Sequence, residues 1–344
     1  VGELEARLVQ HLIELLARLD RCVGEEEAGG VLLLGGSGIG KTRLSQELIL
    51  RAEEQMQGVT VLRGRGDSGR RYSAWSALGD GVRELLGLAE DTPPAEAHAA
   101  LRRLAEGAGE HCAAFVAASL GYNLPPGDSP VLDNARRDPK VMRHQIINAW
   151  SDLFDSMLFD GPLIVSIDDV QWADASSLEQ LALRLRRSEP GAFFVLLTGR
   201  PHALDERPEL FQSPSLVQRD LRELGKHSAR ELVREALSAA NAQDLAEDVL
   251  DVVAEHSGGN PFFVIEIVEH VVKRIRTFGR EAFDESAFVL PLTVEAAVQS
   301  RLDHLDPAEK DLLKRASVLG QRFWLEALTT LGADTPARHV KRLW

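Results

Sequence analysis

Residues 31–44 have the sequence VLLLGGSGIGKTRL, in which an apolar run leads into a glycine-rich loop and then into residues compatible with a helix. The loop at residues 35–42, GGSGIGKT, fits the phosphate-loop pattern GxxxxGK[ST], which requires a strand before it and a helix after it. Its glycines allow a tight turn with backbone N–H groups pointing inward, and the helix that follows adds the positive end of its dipole. The stretch therefore predicts a strand-loop-helix unit that binds a nucleotide by its phosphates.

The polar side chains of this loop have expected roles in holding a nucleotide. Lys41 supplies a positive charge for the β- and γ-phosphates. Thr42 offers its hydroxyl to Mg²⁺, a hard cation that takes oxygen ligands. The predicted ligands are ATP or ADP with Mg²⁺, and the alternative is a glycine-rich turn that binds nothing. The residues predicted to contact the nucleotide are Gly36, Ser37, Gly38, Ile39, Gly40, Lys41, Thr42 and Arg43.

A second motif lies at residues 163–174, LIVSIDDVQWAD, where an apolar run ends in two adjacent aspartates. The run predicts a buried parallel strand that brings carboxylates to its C-terminal end, where ligands bind in open α/β sheets. Asp168 is expected to hold Mg²⁺, directly or through water. Asp169 is expected to orient or deprotonate the water that attacks the γ-phosphate. The alternative is that these carboxylates only cap a helix.

Three further strand candidates, at residues 59–63, 192–198 and 216–224, complete an α/β pattern. The second of them is followed by Arg200, and an arginine just past a strand end could contact the γ-phosphate; the alternative is a loop arginine paired with a nearby acid. Five strand candidates interleaved with helices predict a P-loop NTPase domain over residues 1–224, with a parallel five-stranded sheet. The predicted catalytic residues are Lys41, Asp168, Asp169 and Arg200, and the predicted metal ligands are Thr42 and Asp168.

Composition and charge exclude several classes of protein. The chain has 344 residues, 44% of them hydrophobic and 27% charged, which suits a globular protein of two or three domains. No apolar run approaches the roughly 20 residues of a membrane span, and no secretory signal is evident, so we expect a cytoplasmic protein without membrane contact. Cys22 and Cys112 form no disulfide or zinc pattern. The formal charge of −14 argues against non-specific attraction to nucleic acid.

A basic run lies ahead of the second motif and consists of Arg136, Arg137, Lys140 and Arg143. It precedes a predicted helix at residues 141–157. We interpret it as the solvated face of that region, and the alternative is a surface that senses phosphate or binds a partner.

After residue 225 the pattern becomes helical, with no strand candidates. Helices at residues 229–240, 245–256 and 262–273 predict a helical lid, which with a linker occupies residues 225–290. The lid contains the segment SGGNPFF at residues 257–263, where proline follows a glycine pair at a helix start. Helices at residues 294–305, 307–319 and 324–331, with another start at 336, predict an incomplete winged-helix module over residues 291–344.

Taken together, the motifs resemble those of the AAA-like ATPases of the STAND class, the signal-transduction ATPases with numerous domains. The likeness is to the domains found in large ATP-binding LuxR-type regulators and in kinase- or cyclase-linked signalling proteins. It rests on GGSGIGKTRL, on LIVSIDDVQWAD, on LLTGRP at residues 196–201 and on GGNPFFVIEIVEHV at residues 258–271. It also includes residues 290–323, from LPLTVEAAVQSRL to LGQRF.

The resemblance implies a slow, regulatory ATPase that works as a switch. By the same resemblance Arg200 corresponds to the sensor arginine at a strand end, and Pro261 to a lid proline that packs near the adenine. The implied partners are other domains of a larger polypeptide or a signalling protein, with a nucleotide-dependent oligomer as a further expectation.

Two other functions fit the phosphate loop: a DNA-binding AAA-type loader with a winged helix, and a small-molecule kinase. The acidic balance and the lack of a basic recognition helix weigh against the loader, so direct DNA binding is not expected. No acceptor-site motif supports the kinase.

Overall fold

The computed structural model describes residues 3–109, 111–187, 190–201, 203, 213–279, 307–320 and 324–331. The chain divides into two compact units. One is formed by Glu5–Arg222 and the other by Val1–Leu4 together with Glu223–Trp344.

The first unit contains the parallel sheet that the sequence predicts. Its strands are β1 (Ala28–Leu34), β2 (Thr60–Arg65), β3 (Leu163–Asp168), β4 (Phe193–Gly199) and β5 (Leu216–Asp220). Their order in the sheet is β2-β3-β4-β1-β5, and every neighbouring pair is parallel. The predicted five-stranded α/β fold is therefore confirmed. Because β4 lies between β1 and β3, the end of β4 separates the end of the phosphate-loop strand from the end of the strand that carries the aspartates.

Both faces of the sheet are covered, which explains why the central strands are largely apolar. Val31 and Leu33 of β1 join a buried cluster that also contains leucines of the first two helices. Leu32 and Leu34 point the other way, into a larger cluster built from the helices that lie between β2 and β4. The helices of this unit are α1 (Glu3–Gly24), α2 (Lys41–Gln55), α3 (Ser76–Leu86), α4 (Pro94–Leu104), α5 (Cys112–Ser119), α6 (Pro130–Ala135), α7 (Pro139–Asp160) and α8 (Ala175–Arg186).

Helix α6 begins at the end of a proline-rich segment, residues 125–130. Pro130 is the first residue of this helix, where its missing N–H costs no hydrogen bond, and the side chain of Ser129 caps it. The basic run that follows is partly paired with acids. Arg136 contacts Asp133 at 3.0 Å, and Arg143 contacts Glu179 at 2.9 Å. These pairs suit the interpretation of the run as a solvated face.

The second unit is helical over its described residues. Its helices are α9 (Lys226–Ala239), α10 (Ala246–His256), α11 (Pro261–Phe278), α12 (Pro307–Leu319) and α13 (Leu325–Thr330). The first three enclose a core of valines and leucines, among them Val233, Val249 and Val268, all fully buried. The helix predicted at residues 294–305 and the start at 336 lie outside the described residues. The winged-helix arrangement thus stays a prediction.

Over the described residues of both units, no helix has both the length and the apolar composition of a membrane span.

The thiol of Cys112 gives the first unit a testable pH dependence. Burial raises its pKa to about 12, with a further contribution from the charge of Asp152, and its Sγ donates a hydrogen bond to the Ala149 carbonyl at 3.1 Å. In the unfolded chain a thiol titrates near pH 8.5, so above that pH the folded state retains a proton that the unfolded state loses. Folding stability therefore falls as pH rises, by up to about 1.4 kcal/mol per pH unit for this group.

We expect Cys112→Ser to remove this component of the pH dependence. A serine hydroxyl can still donate to the Ala149 carbonyl but does not ionise in this range. Urea unfolding at pH values from about 8 to about 10.5 should show a steeper loss of the free energy of unfolding in the parent than in the variant. Parallel curves for the two proteins would show that the Cys112 thiol has no raised pKa in the folded state.

Candidate nucleotide-binding site

The phosphate loop connects β1 to α2 and is shaped by glycines. Gly38 and Gly40 have φ values of 78° and 100°, a left-handed conformation that glycine adopts without a Cβ clash. Gly40 is the residue before α2, so the loop leads directly into the N-terminus of that helix. Gly36 and Ser37 are exposed, whereas Ile39 is buried and anchors the loop. Arg43 lies exposed on the first turn of α2.

Lys41 is buried beneath the loop and turns its ammonium group toward it. Its Nζ donates hydrogen bonds to the carbonyls of Gly35 at 3.0 Å and Gly36 at 2.8 Å. Burial lowers the pKa of Lys41, the charge of Arg200 lowers it further, and the charges of Asp169 and Asp168 act in the opposite direction. The ammonium group of Lys41 therefore contacts the loop carbonyls and lies within electrostatic range of Asp168 and Asp169.

Thr42 and Asp168, the predicted metal ligands, meet at the C-terminal edge of the sheet. The Thr42 hydroxyl donates a hydrogen bond to Asp168 Oδ2 at 2.8 Å, although the two residues are 126 positions apart in the chain. Asp168 Oδ1 accepts from the Asp169 backbone N–H at 3.0 Å and from the Thr198 hydroxyl. A hydroxyl and a carboxylate so close together form an oxygen donor set that fits Mg²⁺.

Asp169 adopts an unusual backbone conformation for a residue with a side chain. Its φ of 54° and ψ of 48° lie in the left-handed region, and such strain tends to be found at functional sites. Its carboxylate is held on both oxygens. Gln171 Nε2 donates to Oδ1 at 2.9 Å, and an Arg65 guanidinium nitrogen lies 3.3 Å from Oδ2. Asp169 therefore has one defined orientation beside the phosphate loop.

Arg200 and Pro261 belong to different units. Arg200 follows β4, between the phosphate loop and Asp169, and its backbone N–H donates to Gln171 Oε1 at 3.1 Å. Its contact with a γ-phosphate stays a prediction. Pro261 is the first residue of α11, capped by the Asn260 side chain, which accepts from the Phe262 N–H at 3.0 Å. Its position near an adenine also stays a prediction.

Three side chains of this site escape sequence-based prediction: Arg65, Gln171 and Thr198. Each lies at or just beyond the C-terminal end of a strand, and Arg65 is paired in register with Asp168 on the neighbouring strand. Polar residues at strand ends are the signal that could have found them, since the carboxyl ends of parallel strands meet at one edge. That signal is weak until the strand order is known.

A buried carboxylate, Asp174, joins the segment that follows Asp169 to the start of α3. Asp174 is 1% exposed and accepts five hydrogen bonds. The donors are the backbone N–H groups of Trp75 at 2.8 Å, Ala77 at 3.0 Å and Ser177 at 2.9 Å, with the hydroxyls of Ser76 at 3.1 Å and Ser177 at 2.8 Å. Asp174 thereby caps α8 and ties the start of α3 to the segment after β3.

Comparison with known proteins gives matches over most of the chain. An uncharacterized protein of Rhizobium meliloti (strain 1021) is 26% identical over 304 residues, which cover 88% of this chain. This chain spans 28% of the length of that relative.

Similar solved structures include the ORC2 protein of Aeropyrum pernix in ADPNP-ADP complexes, with 16% identity, 96% of this chain and 79% of that chain covered, and a TM-score of 0.43. Another is the Pyrococcus horikoshii protein PH0952, a STAND protein with a tetratricopeptide repeat sensor, with 17% identity, 94% and 37% coverage and a TM-score of 0.41. The RuvB Holliday junction branch migration motor of Thermotoga maritima has 16% identity, 97% and 83% coverage and a TM-score of 0.41.

A family model described as an AAA ATPase domain matches residues 10–197. The match covers more than half of the chain and includes the phosphate loop and the aspartates at the end of β3. This chain belongs to the AAA ATPase domain family.

Proposed function

We propose that this protein binds ATP and hydrolyses it slowly, and that the bound nucleotide switches the arrangement of attached domains. One observation carries the enzymatic part of the proposal: residues at the start of α2 and at the end of β3 converge at one sheet edge. There Lys41 and Thr42 lie beside Asp168 and Asp169, with Thr42 bonded directly to Asp168. A phosphate-binding loop next to paired carboxylates suits hydrolysis of a phosphoanhydride bond.

The roles of the side chains follow from this geometry. The loop N–H groups and Lys41 would hold the terminal phosphates, and Thr42 with Asp168 would hold Mg²⁺. When bound, Mg²⁺ would neutralise charge on the phosphate oxygens. Asp169 would orient the attacking water and accept its proton. Arg200, at the end of β4, would add positive charge near the γ-phosphate.

The switch role is proposed from the resemblance to STAND proteins and from the length of the relative. A chain that spans 28% of its relative suits a domain that works within a larger polypeptide. The proposed partners are therefore attached domains or a signalling protein, in transcription or kinase signalling, and a nucleotide-dependent oligomer. Arg200 and the lid residue Pro261 are the proposed nucleotide sensors.

Lys41→Ala is expected to weaken ATP binding by about tenfold to a hundredfold, because a charge-assisted hydrogen bond contributes about 1.5–3 kcal/mol. Isothermal titration calorimetry with ATP and with ADP would measure the change. Lys140→Ala is the matched control, since Lys140 is an exposed lysine at the start of α7. Parental ATP affinity in Lys41→Ala would refute the site. A loss of affinity in Lys140→Ala would instead support phosphate sensing by the basic run.

The switch role predicts different hydrogen exchange with different nucleotides. A nucleotide shifts the equilibrium between two conformations only if it binds them with different affinity, and ADP and ATP differ in the contacts of the γ-phosphate. We therefore expect ADP and a non-hydrolysable ATP analogue to give different protection at residues 258–273 and 291–319, measured by mass spectrometry on the full chain. Lys41→Ala should give one pattern with both nucleotides. Identical protection in the parent, together with tight duplex DNA binding at physiological salt, would favour the DNA-binding loader instead.

A further inference from the structure

Gln171 is a buried glutamine that the proposed chemistry does not use directly. It lies in a 3₁₀ turn, Val170–Trp172, that begins immediately after Asp169, and it is 5% exposed. We propose that Gln171 positions Asp169 for hydrolysis by tying its carboxylate to the end of β4. The proposal rests on the hydrolytic function proposed above and assigns Gln171 a role as a positioning residue.

Both ends of the Gln171 amide have a partner of the correct polarity. Nε2 donates to Asp169 Oδ1 at 2.9 Å, and Oε1 accepts from the Arg200 N–H at 3.1 Å. A flipped amide would set oxygen against the carboxylate and N–H against N–H. The chemistry of the two partners therefore fixes the orientation of the amide. A side chain held at both ends can transmit the position of one partner to the other.

The same peptide unit of β4 also holds the phosphate loop. The Gly199 carbonyl accepts a hydrogen bond from the Gly35 N–H at 3.2 Å. The N–H of the same peptide group belongs to Arg200 and donates a hydrogen bond to Gln171 Oε1. Glycine at position 199 permits this close approach, since a Cβ there would lie 2.7 Å from Val170 Cγ2 and 3.3 Å from Gln171 Oε1. One peptide plane thus links the first residue of the phosphate loop to the side chain that holds Asp169.

The second contact of Asp169 is less able to fix its carboxylate. The Arg65 side chain is 60% exposed and lies 3.3 Å from Asp169 Oδ2. Exposed ion pairs are screened by water and contribute little. The buried amide of Gln171 is not screened in this way. It therefore defines the direction of Oδ1 and leaves Oδ2 facing the more open side.

Three substitutions at Gln171 separate the effect of losing the hydrogen-bond donor from the effect of changing the side-chain volume. Gln171→Met keeps the length and removes both hydrogen bonds, and Gln171→Glu keeps the acceptor for the Arg200 N–H but loses the donor. Gln171→His retains one donor and one acceptor on a neutral ring. We expect single-turnover ATP hydrolysis to slow about tenfold in the first two variants and to recover largely in the third. ATP affinity, measured by calorimetry, should remain within about twofold of the parent in Gln171→Met and Gln171→His, which keep the charge of the site. Gln171→Glu adds a negative charge beside Asp169 and is expected to bind ATP more weakly, so its rate is measured with enough protein to bind all the ATP.

A double-mutant cycle gives the sharpest test. If Gln171 acts only through Asp169, the double variant Gln171→Met/Asp169→Asn should hydrolyse ATP at the rate of Asp169→Asn alone. Multiplied losses would overturn the proposal, because they show that Gln171 acts independently of Asp169. Gln180→Met is the control: Gln180 is another buried glutamine, on α8, whose amide bonds Ser151. It should hydrolyse ATP at the parental rate, and slowing equal to that of Gln171→Met would also overturn the proposal.

Failure of this inference is distinct from failure of the proposed function. Suppose that Gln171→Met and Gln171→Glu hydrolyse ATP at the parental rate while Asp169→Asn is slow. The positioning role of Gln171 is then refuted, and the proposed hydrolytic function stands. A parental rate in Asp169→Asn removes Asp169 from the reaction and this inference with it. Thermal unfolding of each variant shows whether a lower hydrolysis rate comes from loss of the folded protein. If Gln171→Met does not fold, Gln171→Glu, which is closest in shape to glutamine, still tests the loss of the donor.

Discussion

Asp169→Asn is expected to slow ATP hydrolysis by about 10²–10⁴-fold, the usual cost of removing a general base, while ATP affinity stays near that of the parent. The amide has the shape of the carboxylate but cannot take a proton from water. Thr42 and Asp168, which are bonded to each other, remain available for the metal, and Lys41 remains available for the phosphates. The substitution therefore removes chemistry and leaves binding.

Single-turnover hydrolysis with protein in excess over ATP would measure the rate, and calorimetry the affinity. Asp160→Asn is a matched control, since Asp160 is exposed at the C-terminal end of α7. It should hydrolyse ATP at the parental rate. An unchanged rate in Asp169→Asn would mean that Asp169 only shapes the loop after β3.

Asp174→Ala is expected to lower the free energy of unfolding of the first unit by about 3–5 kcal/mol. The substitution leaves the N–H groups of Trp75 and Ala77 buried without acceptors, at about 1–2 kcal/mol each, and removes the cap of α8, at about 1 kcal/mol. Trp75, one of the buried donors, has a φ of 66°, an unusual conformation for a residue with a Cβ. The bond from its N–H to Asp174 helps to maintain that conformation.

Denaturant titration followed by tryptophan fluorescence would measure this change. Asp138→Ala is the matched control, because Asp138 also caps a helix but is exposed, so its loss should cost about 1 kcal/mol. Asp174→Asn keeps one acceptor oxygen and should fall between the two. Equal effects for Asp174→Ala and Asp138→Ala would show that the buried hydrogen bonds of Asp174 contribute nothing beyond the cap.

The sequence alone predicted the elements whose signals are contiguous in the chain. The phosphate loop is a pattern of eight consecutive residues, so its glycines, Lys41 and Thr42 can be identified without knowledge of any distant part of the chain. Asp168 and Asp169 were identifiable because an apolar strand delivers whatever follows it to the sheet edge. The class of fold followed from the alternation of apolar runs and helical patterns, and the structure confirms the parallel sheet.

The tertiary structure decided which strand ends are neighbours, and therefore which side chains surround the Asp169 carboxylate. Arg65 contacts Asp169 across 104 positions of the chain, and Trp75 contacts Asp174 across 99. Gln171 lies within the motif, but the hydrogen bond that its Oε1 accepts from the Arg200 N–H depends on the position of β4 beside β3. Hydrogen bonds are short and directional, so a partner far along the chain is defined by the folded backbone and not by spacing in the sequence.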